Sequence, residues 1–341
     1  QPISTTVPGM EICELLPKSA KVMHHLAVVR SVNTRENNHG KGRYMMTTGR
    51  REDEPGEFPH LGATMARALD DPSNPPKASG GRSDNAAYLG PKYASLQLKD
   101  GKAPADSARP DDITLEADAR RNAFRRRADE RFLLRRRTAR TDLYTQTFDQ
   151  AQSLMEKRDV FDVSKESKED HQRYGSHDFG RHCLLARRLL ENDVTFVQVT
   201  HTNYDTHNEN FNFHIEQMGE FDAPFANLVT DLEERGMLDS TLIVVMSEFG
   251  RTPRINHKYG RDHWGTAWSV VLGGCGIQKG AVYGKTNAQG TAVADGEVDH
   301  ARLFHTYLQA VGVKSLGAFN IDGREYPVAN PASYPIQELL A

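Results

Sequence analysis

Cysteine is rare in this chain: Cys13, Cys183 and Cys275 are its three cysteines, and they lie far apart. No two of them form a Cys-x-x-Cys pair, which argues against a disulfide framework and against a thiolate zinc site. Long apolar runs are also missing, because none approaches the roughly 18 residues that a membrane-spanning helix needs. No signal peptide is visible in the sequence, whose first residue is Gln1.

An excess of positive charge is absent as well. The 341 residues include 43 Lys and Arg and 46 Asp and Glu, which gives a formal net charge of −3. This balance gives no sign of a nucleic-acid partner. With 38% hydrophobic and 26% charged residues, the composition is typical of a globular protein. We expect one domain over residues 1–341, with a loop-rich and helical excursion at about 51–165.

Apolar periodicity and turn residues predict alternating helices and strands. Helices are predicted at residues 12–25, 60–69, 115–158 (one or two helices), 175–194, 213–238 and 301–313. Strands are predicted at 26–32, 195–201, 240–248 and 267–274, and a polar turn at 33–50. The strands are nearly continuous apolar runs. This pattern predicts the α/β class, with a mixed, mostly parallel sheet covered by helices on both faces.

The most basic segment is ARRNAFRRRADERFLLRRRTAR, residues 119–140. A helix here would expose its arginines to solvent and pack four apolar side chains inward: Phe124, Phe132, Leu133 and Leu134. The alternative is a polyanion-binding surface. The segment lacks the interleaved exposed aromatic residues and the known motifs of nucleic-acid binding, so the solvated helix is the favoured interpretation.

Reactive side chains lie in the loops beside the predicted strands. In chain order they are His39, Asp205, His207, Glu248, Asp262 and His263. In an open α/β sheet, ligands bind beyond the carboxyl ends of the strands. We therefore expect these carboxylates and imidazoles to share one edge of the sheet.

Mixed histidine and carboxylate donors are suited to divalent metals such as Zn or Mn. A metal, or a pair of metals, would polarise an ester oxygen and lower the pKa of a bound water. Arg251 and Arg254 would hold an anionic phosphate or sulfate group. The residues also allow purely structural roles, such as a loop hydrogen bond between Asp205 and His207 or a salt bridge from Arg251 to Glu248.

Three segments, YDTHNENF, SEFGRTPRIN and GRDHW, resemble the hallmark motifs of the bacterial domain-of-unknown-function family 1501. ELLPKSAKVMHHLAVVRSV, FGRHCLLARRLL and DGREYPVANPASYPIQELL also resemble family segments, so the likeness covers most of the chain. The family is related to the alkaline phosphatase and sulfatase superfamily. The resemblance implies an alkaline-phosphatase-like fold, export to the periplasm or cell envelope, and a divalent metal (Zn, Mn or Ca). The implied ligands are Asp205, His207, Glu248, Asp262 and His263.

Two departures from the sulfatase pattern concern the strand end at Glu248. LDSTLIVVMSEFG is similar to the sulfatase stretch in which a strand ends in a metal-binding Asp and His. Glu248 takes the place of the Asp and is still able to bind a metal. Phe249 takes the place of the His, and a phenyl ring has no donor atom. We expect another residue, such as His263, to replace it.

A further departure concerns the nucleophile. HGKGRYMMTTGR resembles the sulfatase signature, and alignment on Thr48-Gly49-Arg50 places His39 at the nucleophile position. His39 would bind a metal, act as a base or become a phosphohistidine, and we favour the first role.

The predicted function is metal-dependent hydrolysis of a phosphate or sulfate ester of a small molecule or glycan, without a Cys or Ser nucleophile. His39 and Arg251 are the predicted catalytic residues. Superfamily members begin with a strand that ends in Asp ligands, and we expect that strand to be missing from this chain, ahead of Gln1. The alternative is a non-catalytic exported protein that uses a degenerate site to bind sulfated or phosphorylated glycans.

Overall fold

The computed structural model describes residues 1–70, 78–79, 85–98, 102–103, 107–135, 148, 152 and 155–341. Its α-helices are α1 His39–Thr48, α2 Leu61–Ala68, α3 Leu115–Arg135, α4 Lys168–Tyr174, α5 Asp178–Glu191, α6 Asn210–Glu234 and α7 His300–Ala310. Short 3-10 helices span Ser19–His25, Ala87–Leu89, Pro91–Tyr93, Arg158–Phe161, Val163–Lys165, Leu238–Ser240 and Gln337–Leu339.

The strands are short and numerous. They are β1 Pro2–Ser4, β2 Glu11–Cys13, β3 Leu26–Val32, β4 Ala78–Ser79, β5 Phe196–Val197, β6 Leu242–Val245, β7 Gly250–Arg251, β8 His263–Trp264, β9 Trp268–Gly274, β10 Val282–Tyr283, β11 Lys285–Thr286, β12 Val293–Asp295, β13 Ala318–Ile321 and β14 Arg324–Pro327. The predicted strands at 26–32 and 267–274 are confirmed, and the strand predicted at 240–248 is confirmed over Leu242–Val245. The predicted strand at 195–201 is reduced to the two residues of β5.

The central sheet has four strands in the order β10–β3–β9–β6. β9 lies antiparallel to both of its neighbours, and β10 lies parallel to β3. The prediction of a mixed α/β sheet is confirmed. The prediction that the sheet is mostly parallel is wrong, because two of its three pairings are antiparallel. Since β3 and β6 both oppose β9, their carboxyl ends and the beginning of β9 lie at the same edge.

Helices cover both faces of this sheet, as predicted. Successive side chains of a strand point to opposite faces. Accordingly, Ala27 and Val29 share a buried core with Leu303 and Phe304 of α7. Leu26, one position away, packs in a separate core with residues of α6. Each face of β3 is thus buried against a different helix.

α1 corrects the prediction of a polar turn at 33–50. The Asn38 side chain accepts a hydrogen bond from the Lys41 backbone amide and caps the first turn, and Gly49 ends the helix with a left-handed φ of 67°. Two glycines within ten residues lower helix propensity and obscured the helix in the sequence. One of them, Gly42, lets α1 approach the strand end closely, because a Cβ there would lie 3.0 Å from the Glu248 carbonyl oxygen.

The N-terminal segment also differs from its prediction. The helix expected at residues 12–25 is replaced by the end of β2 and by the 3-10 helix Ser19–His25. The side chain of Asp222 in α6 accepts hydrogen bonds from the backbone amides of Lys18 and Ser19, at 2.9 and 2.7 Å. A long-range carboxylate therefore fixes the entry to this turn.

The basic helix α3 is confirmed, but its packing is not as predicted. Phe124, Phe132 and Leu134 are 76%, 50% and 88% exposed instead of buried. The Leu133 side chain and residues 136–147, 149–151 and 153–154 of the predicted helical region lie outside the described residues, as do 71–77, 80–84, 99–101 and 104–106 of the loop-rich region. None of the helices that the structure describes is both long and apolar enough to cross a membrane.

A buried ion network joins α4, α5 and α6. Arg187 and Asp231 are 1% and 0% exposed, and the Arg187 guanidinium lies 2.7 Å from the Asp231 carboxylate. The Tyr174 hydroxyl donates a further hydrogen bond to the same carboxylate at 2.9 Å. This network ties together the helices that precede and follow β5.

Candidate metal centre

Three imidazoles converge on one carboxylate at the sheet edge described above. His39 is the first residue of α1, and His263 begins β8. Asp205 and His207 lie in the loop between β5 and α6. Three chain segments thus meet at the ends of β3 and β6 and the beginning of β9.

The atoms that meet are the Nε2 atoms of the histidines and the carboxylate oxygens of Asp205. His39 Nε2 lies 3.2 Å from Asp205 Oδ2. His207 Nε2 and His263 Nε2 both lie 3.0 Å from Asp205 Oδ1. The two nitrogens of His207 and His263 are also 3.0 Å apart. Among the described residues, His39, Asp205 and His263 form a group whose ligand atoms all lie within 4.8 Å of one another.

The opposite nitrogen of each ring is held by an acceptor. His39 Nδ1 lies 2.6 Å from Glu248 Oε1, and His207 Nδ1 lies 2.8 Å from Asp262 Oδ1. His263 Nδ1 lies 2.6 Å from the carbonyl oxygen of Asn37. A carbonyl or carboxylate oxygen only accepts, so we assign the proton of all three rings to Nδ1 from these contacts.

This tautomer leaves a lone pair on every Nε2, directed at Asp205. Lone pairs beside a carboxylate repel one another unless a proton or a cation lies between them. Metal-binding histidines commonly donate their other N–H group to a carboxylate or a backbone carbonyl, which fixes the tautomer and the orientation of the ring. The donor set therefore fits a divalent metal held by imidazole and carboxylate atoms.

The carboxylates of the cluster are stabilised as anions. Burial alone would raise the pKa of Asp205, but the hydrogen bond from Arg251 and the positive charge of its guanidinium outweigh it and hold the pKa well below its usual range. Burial would likewise raise the pKa of Glu248, but the hydrogen bond from His39 helps to outweigh it, and the pKa is lowered. The hydrogen bond from His207 lowers the pKa of Asp262. All three groups accept hydrogen bonds as carboxylates at neutral pH.

Arg251 contacts Asp205 instead of Glu248. Antiparallel pairing of β7 with β8 sets Arg251 opposite His263. The Arg251 guanidinium lies 2.6 Å from Asp205 Oδ1 and donates to the Arg261 carbonyl at 3.3 Å. The alternative of a purely structural salt bridge from Arg251 to Glu248 is therefore not what the structure shows. Arg254, the other predicted anion-binding residue, has an exposed side chain on the following turn.

Phe249 has a supporting position that the sequence did not indicate. Its side chain is 3% exposed, and its ring centroid lies 5.0 Å from that of His39 and 4.4 Å from that of His263. The ring therefore forms a wall against which both imidazoles pack. Phe249, which has no metal-binding atom, thus restricts the rotation of the His39 and His263 rings.

A second loop orders the segment that carries His207. The Asn256 side chain donates to the His207 carbonyl at 3.0 Å and to Asp262 Oδ1 at 3.1 Å. The Arg261 amide donates to the Thr206 carbonyl at 2.9 Å. Asn256 was not predicted, and only its place in the polar RINHKYGRDH loop would have suggested it.

The cluster is open to solvent on one side. The exposed fractions of the His39, His207 and Asp205 side chains are 45%, 44% and 50%. His263 and Arg251, at 20% and 17%, form the deeper part. All seven predicted site residues therefore lie in one accessible cluster. His39, His207, His263 and Arg251 contact Asp205. Glu248 and Asp262 contact His39 and His207 on the side away from Asp205.

The family model described as "Protein of unknown function (DUF1501)" matches residues 1–340. Two solved structures are similar to the chain at low identity. The PsFucS1 sulfatase from Pseudoalteromonas sp. is 15% identical, with a TM-score of 0.40, over 88% of this chain and 62% of the sulfatase. The phosphonate monoester hydrolase SpPMH from Silicibacter pomeroyi is 14% identical, with a TM-score of 0.35, over 91% of this chain and 70% of the hydrolase. No curated protein sequence matches the chain.

Proposed function

The chain belongs to the family Protein of unknown function (DUF1501), whose model spans residues 1–340, and we propose that it is a metal-dependent hydrolase of phosphate or sulfate esters. The observation that carries this proposal is the convergence of three Nε2 atoms on Asp205, with an acceptor against each Nδ1. A structural cluster would more simply use each imidazole proton to bridge to the carboxylate. Here every proton is directed away from it.

The metal would be held by Asp205, His207 and His263, with His39 on the other carboxylate oxygen. Imidazole nitrogen ligands favour Zn or Mn over Ca, which prefers oxygen ligands. Such a metal supplies Lewis-acid polarisation of the ester and a water of lowered pKa. Glu248 and Asp262 orient two of the imidazoles instead of binding the metal directly.

Arg251 supplies the positive charge for the transferred group. Its guanidinium presents several donors in a planar fork that matches the oxygens of phosphate or sulfate. It lies against Asp205 and is only 17% exposed, so its orientation is largely fixed before an ester binds. A preorganised cation of this kind stabilises the charge that develops on the transferred group.

Water is the favoured nucleophile. No Cys, Ser or Thr side chain of the described residues hydrogen-bonds to Asp205, and both nitrogens of His39 are already engaged, by Glu248 and Asp205. His39 therefore orders the cluster and is poorly placed to become a phosphohistidine.

The second candidate is binding without turnover, through the same cluster, of a sulfated or phosphorylated glycan. The imidazole of His39 at the nucleophile-equivalent position and the buried phenyl ring of Phe249 favour it. The two functions share the metal and differ in whether the ester bond is broken.

The test combines metal analysis with turnover of p-nitrophenyl phosphate and sulfate in the presence of Zn or Mn. We expect the protein to bind a divalent metal and cleave at least one ester. His207→Ala combined with His263→Ala should weaken metal binding by more than the roughly 10–100-fold loss typical of an outer partner. His257→Ala, an exposed histidine of the same loop, is the matched control and should bind metal normally. Unchanged metal binding in the double variant would refute the proposed site. Intact metal binding without cleavage would favour the second candidate.

A further inference from the structure

A separate polar cavity lies at the opposite end of α1 from the metal centre. α1 has ten residues and is therefore about 15 Å long. Beyond its last turn, a cavity of about 410 Å³ is enclosed by Arg51, the first turn of α7 and the segment 330–334. None of the residues that line it belongs to the cluster around Asp205. Its size is within the range of small-molecule binding sites.

Two residues that line this cavity each carry a buried polar atom with no hydrogen-bond partner among the described residues. The first is Nδ1 of His300, whose side chain lines the cavity and is 6% exposed. The second is Nε of Arg302, although Nη1 of the same guanidinium donates to the Glu297 carbonyl at 3.0 Å. Buried polar groups are normally satisfied, so two lining residues with unused hydrogen-bonding capacity set this cavity apart as polar.

The cavity is polar without an excess of charge. Its lining carries two positive side chains, Arg51 and Arg302, and two negative ones, Glu54 and Asp299. Burial, assisted by Arg51, lowers the pKa of His300 against the opposing effect of Asp299, so the ring is neutral at pH 7. A neutral imidazole both donates and accepts hydrogen bonds. This balance suits hydroxyl groups better than a phosphate or sulfate.

An exposed aromatic ring completes the lining. Tyr334 is 60% exposed, and the guanidinium of Arg302 lies 4.9 Å from the centroid of its ring. An aromatic face of this kind packs against the C–H face of a sugar ring, while planar polar side chains such as Asp299 and Asn330 bond to its hydroxyls. Both components are present here in one space of sugar size.

We propose that this cavity binds a sugar unit, with Tyr334 as the stacking surface and His300, Arg302 and Asp299 as hydroxyl partners. The occupant to which the chemistry points is an uncharged, hydroxyl-rich ring.

A second cavity lies beside α1, on the side of this sugar site that faces the metal centre along the chain. It has a volume of about 340 Å³, runs beside α1, and is lined by Glu36, Lys41, Met45 and Arg51, among others. Arg51 lines both cavities. At the other end, the Glu36 carboxylate accepts hydrogen bonds from the backbone amides of Asn37 and Asn38, the segment that leads into His39. The two cavities share Arg51, and together we call them the groove; it runs beside α1 from Glu36, three residues before His39, to Tyr334.

The groove adds a substrate class to the proposed function, and this part of the inference rests on that function. If the cluster around Asp205 hydrolyses an ester, the ester belongs to an oligosaccharide of several units. The ester group would lie at the metal, and a further sugar unit would lie about 15 Å away, beyond the end of α1.

The binding test uses an array of neutral and sulfated oligosaccharides with the full chain. We expect binding to neutral oligosaccharides, reduced about 10-fold by Tyr334→Ala and retained in Tyr334→Phe, because the aromatic face carries the contact. Tyr259→Ala, an equally exposed tyrosine (69%), is the matched control and should bind as the unchanged protein does. Absence of binding to every oligosaccharide, equal binding by Tyr334→Ala, or displacement of the sugar by inorganic phosphate would each overturn the proposal.

A second measurement separates this inference from the proposed hydrolysis. With p-nitrophenyl sulfate or phosphate as a small substrate, Tyr334→Ala should leave kcat/KM unchanged, whereas the KM for a sulfated oligosaccharide that is cleaved should rise about 10-fold. If no ester is cleaved but the array shows Tyr334-dependent sugar binding, the hydrolase proposal fails and the sugar site stands. If esters are cleaved and Tyr334→Ala does not alter sugar binding, the hydrolase proposal stands and the sugar site fails.

Discussion

At the scale of single residues, the chemistry of the cluster depends on which nitrogen of each imidazole is exposed. Glu248 and the Asn37 carbonyl hold Nδ1 of His39 and His263, both at 2.6 Å. A ring that is free to flip would present either nitrogen, and the set of lone pairs at Asp205 would be lost. The acceptors behind the imidazoles therefore determine whether the cluster can bind a cation at all.

Removing an outer acceptor should weaken metal binding without removing a ligand. We expect Glu248→Ala and Asp262→Ala each to lower metal affinity about 10–100-fold. Glu248→Gln should recover part of that loss, because its amide oxygen still accepts from His39 Nδ1. Isothermal titration with Zn or Mn measures the effect.

Glu216→Ala, an exposed acid on α6, is the control and should bind metal as the unchanged protein does. Equal affinity in Glu248→Ala and the unchanged protein would show that the orientation of His39 does not depend on this carboxylate.

At the scale of elements, the site depends on the fit between two loops. Gly260 lies against the backbone of the segment that carries His207, and a Cβ at Gly260 would be 1.9 Å from the His207 carbonyl group. Backbone atoms cannot rotate away as a flexible side chain can. The same loop holds His207 through Asn256 and Asp262, so that displacing it moves both the ring and the acceptor of its proton.

Gly260→Ala should therefore reduce metal affinity by at least the roughly 10-fold loss expected for an outer acceptor. Gly219→Ala is the matched control, because a Cβ at Gly219 meets no atom within 4 Å and lies in the exposed part of α6. This control should bind metal normally and gain up to about 1 kcal/mol of stability from the better helix propensity of alanine. Normal metal binding by Gly260→Ala would show that the loop can shift without disturbing His207.

At the scale of the whole molecule, stability is linked to pH through the buried network of α4–α6. Burial would raise the pKa of Asp231, but hydrogen bonds from Arg173, Arg187 and Tyr174 outweigh it and lower the pKa. A carboxyl group with a lowered pKa in the folded state stabilises that state above its unfolded pKa of about 3.9. That contribution is lost as the pH falls through the folded-state pKa.

Asp231→Asn should consequently cost up to about 3–5 kcal/mol at pH 7, because it removes the fully buried carboxylate from Arg187 and leaves the more exposed Glu166, Asp170 and Glu191 as its anions. The variant should also lose less stability than the unchanged protein as the pH is lowered from about 5 toward 3. Urea unfolding at several pH values measures both effects. Asp239→Asn, whose carboxylate pairs with Lys279 at an 82%-exposed position, is the control and should differ by about 1 kcal/mol or less. A parallel pH dependence in Asp231→Asn and the unchanged protein would contradict this account.

The sequence by itself determined the buried strands and the identity of the cluster. The apolar runs of β3 and β9 are long enough to require burial, and the motifs around Asp205, Glu248 and His263 named the residues that meet. A single domain over the whole chain remains a prediction. The basic helix α3 was predicted, but the exposure of Phe124 was not, since local periodicity does not reveal whether another element covers a face.

Only the tertiary structure decided strand direction and the role of each site residue. Periodicity is the same for a parallel and an antiparallel strand, so the antiparallel placement of β9 could not be predicted. Glu248 holds His39 from 209 positions away, and the Asn37 carbonyl holds His263 from 226 positions away. Such contacts depend on how distant segments pack, and for that reason the proposed ligands and the residues proposed to orient them could be told apart only in the folded chain.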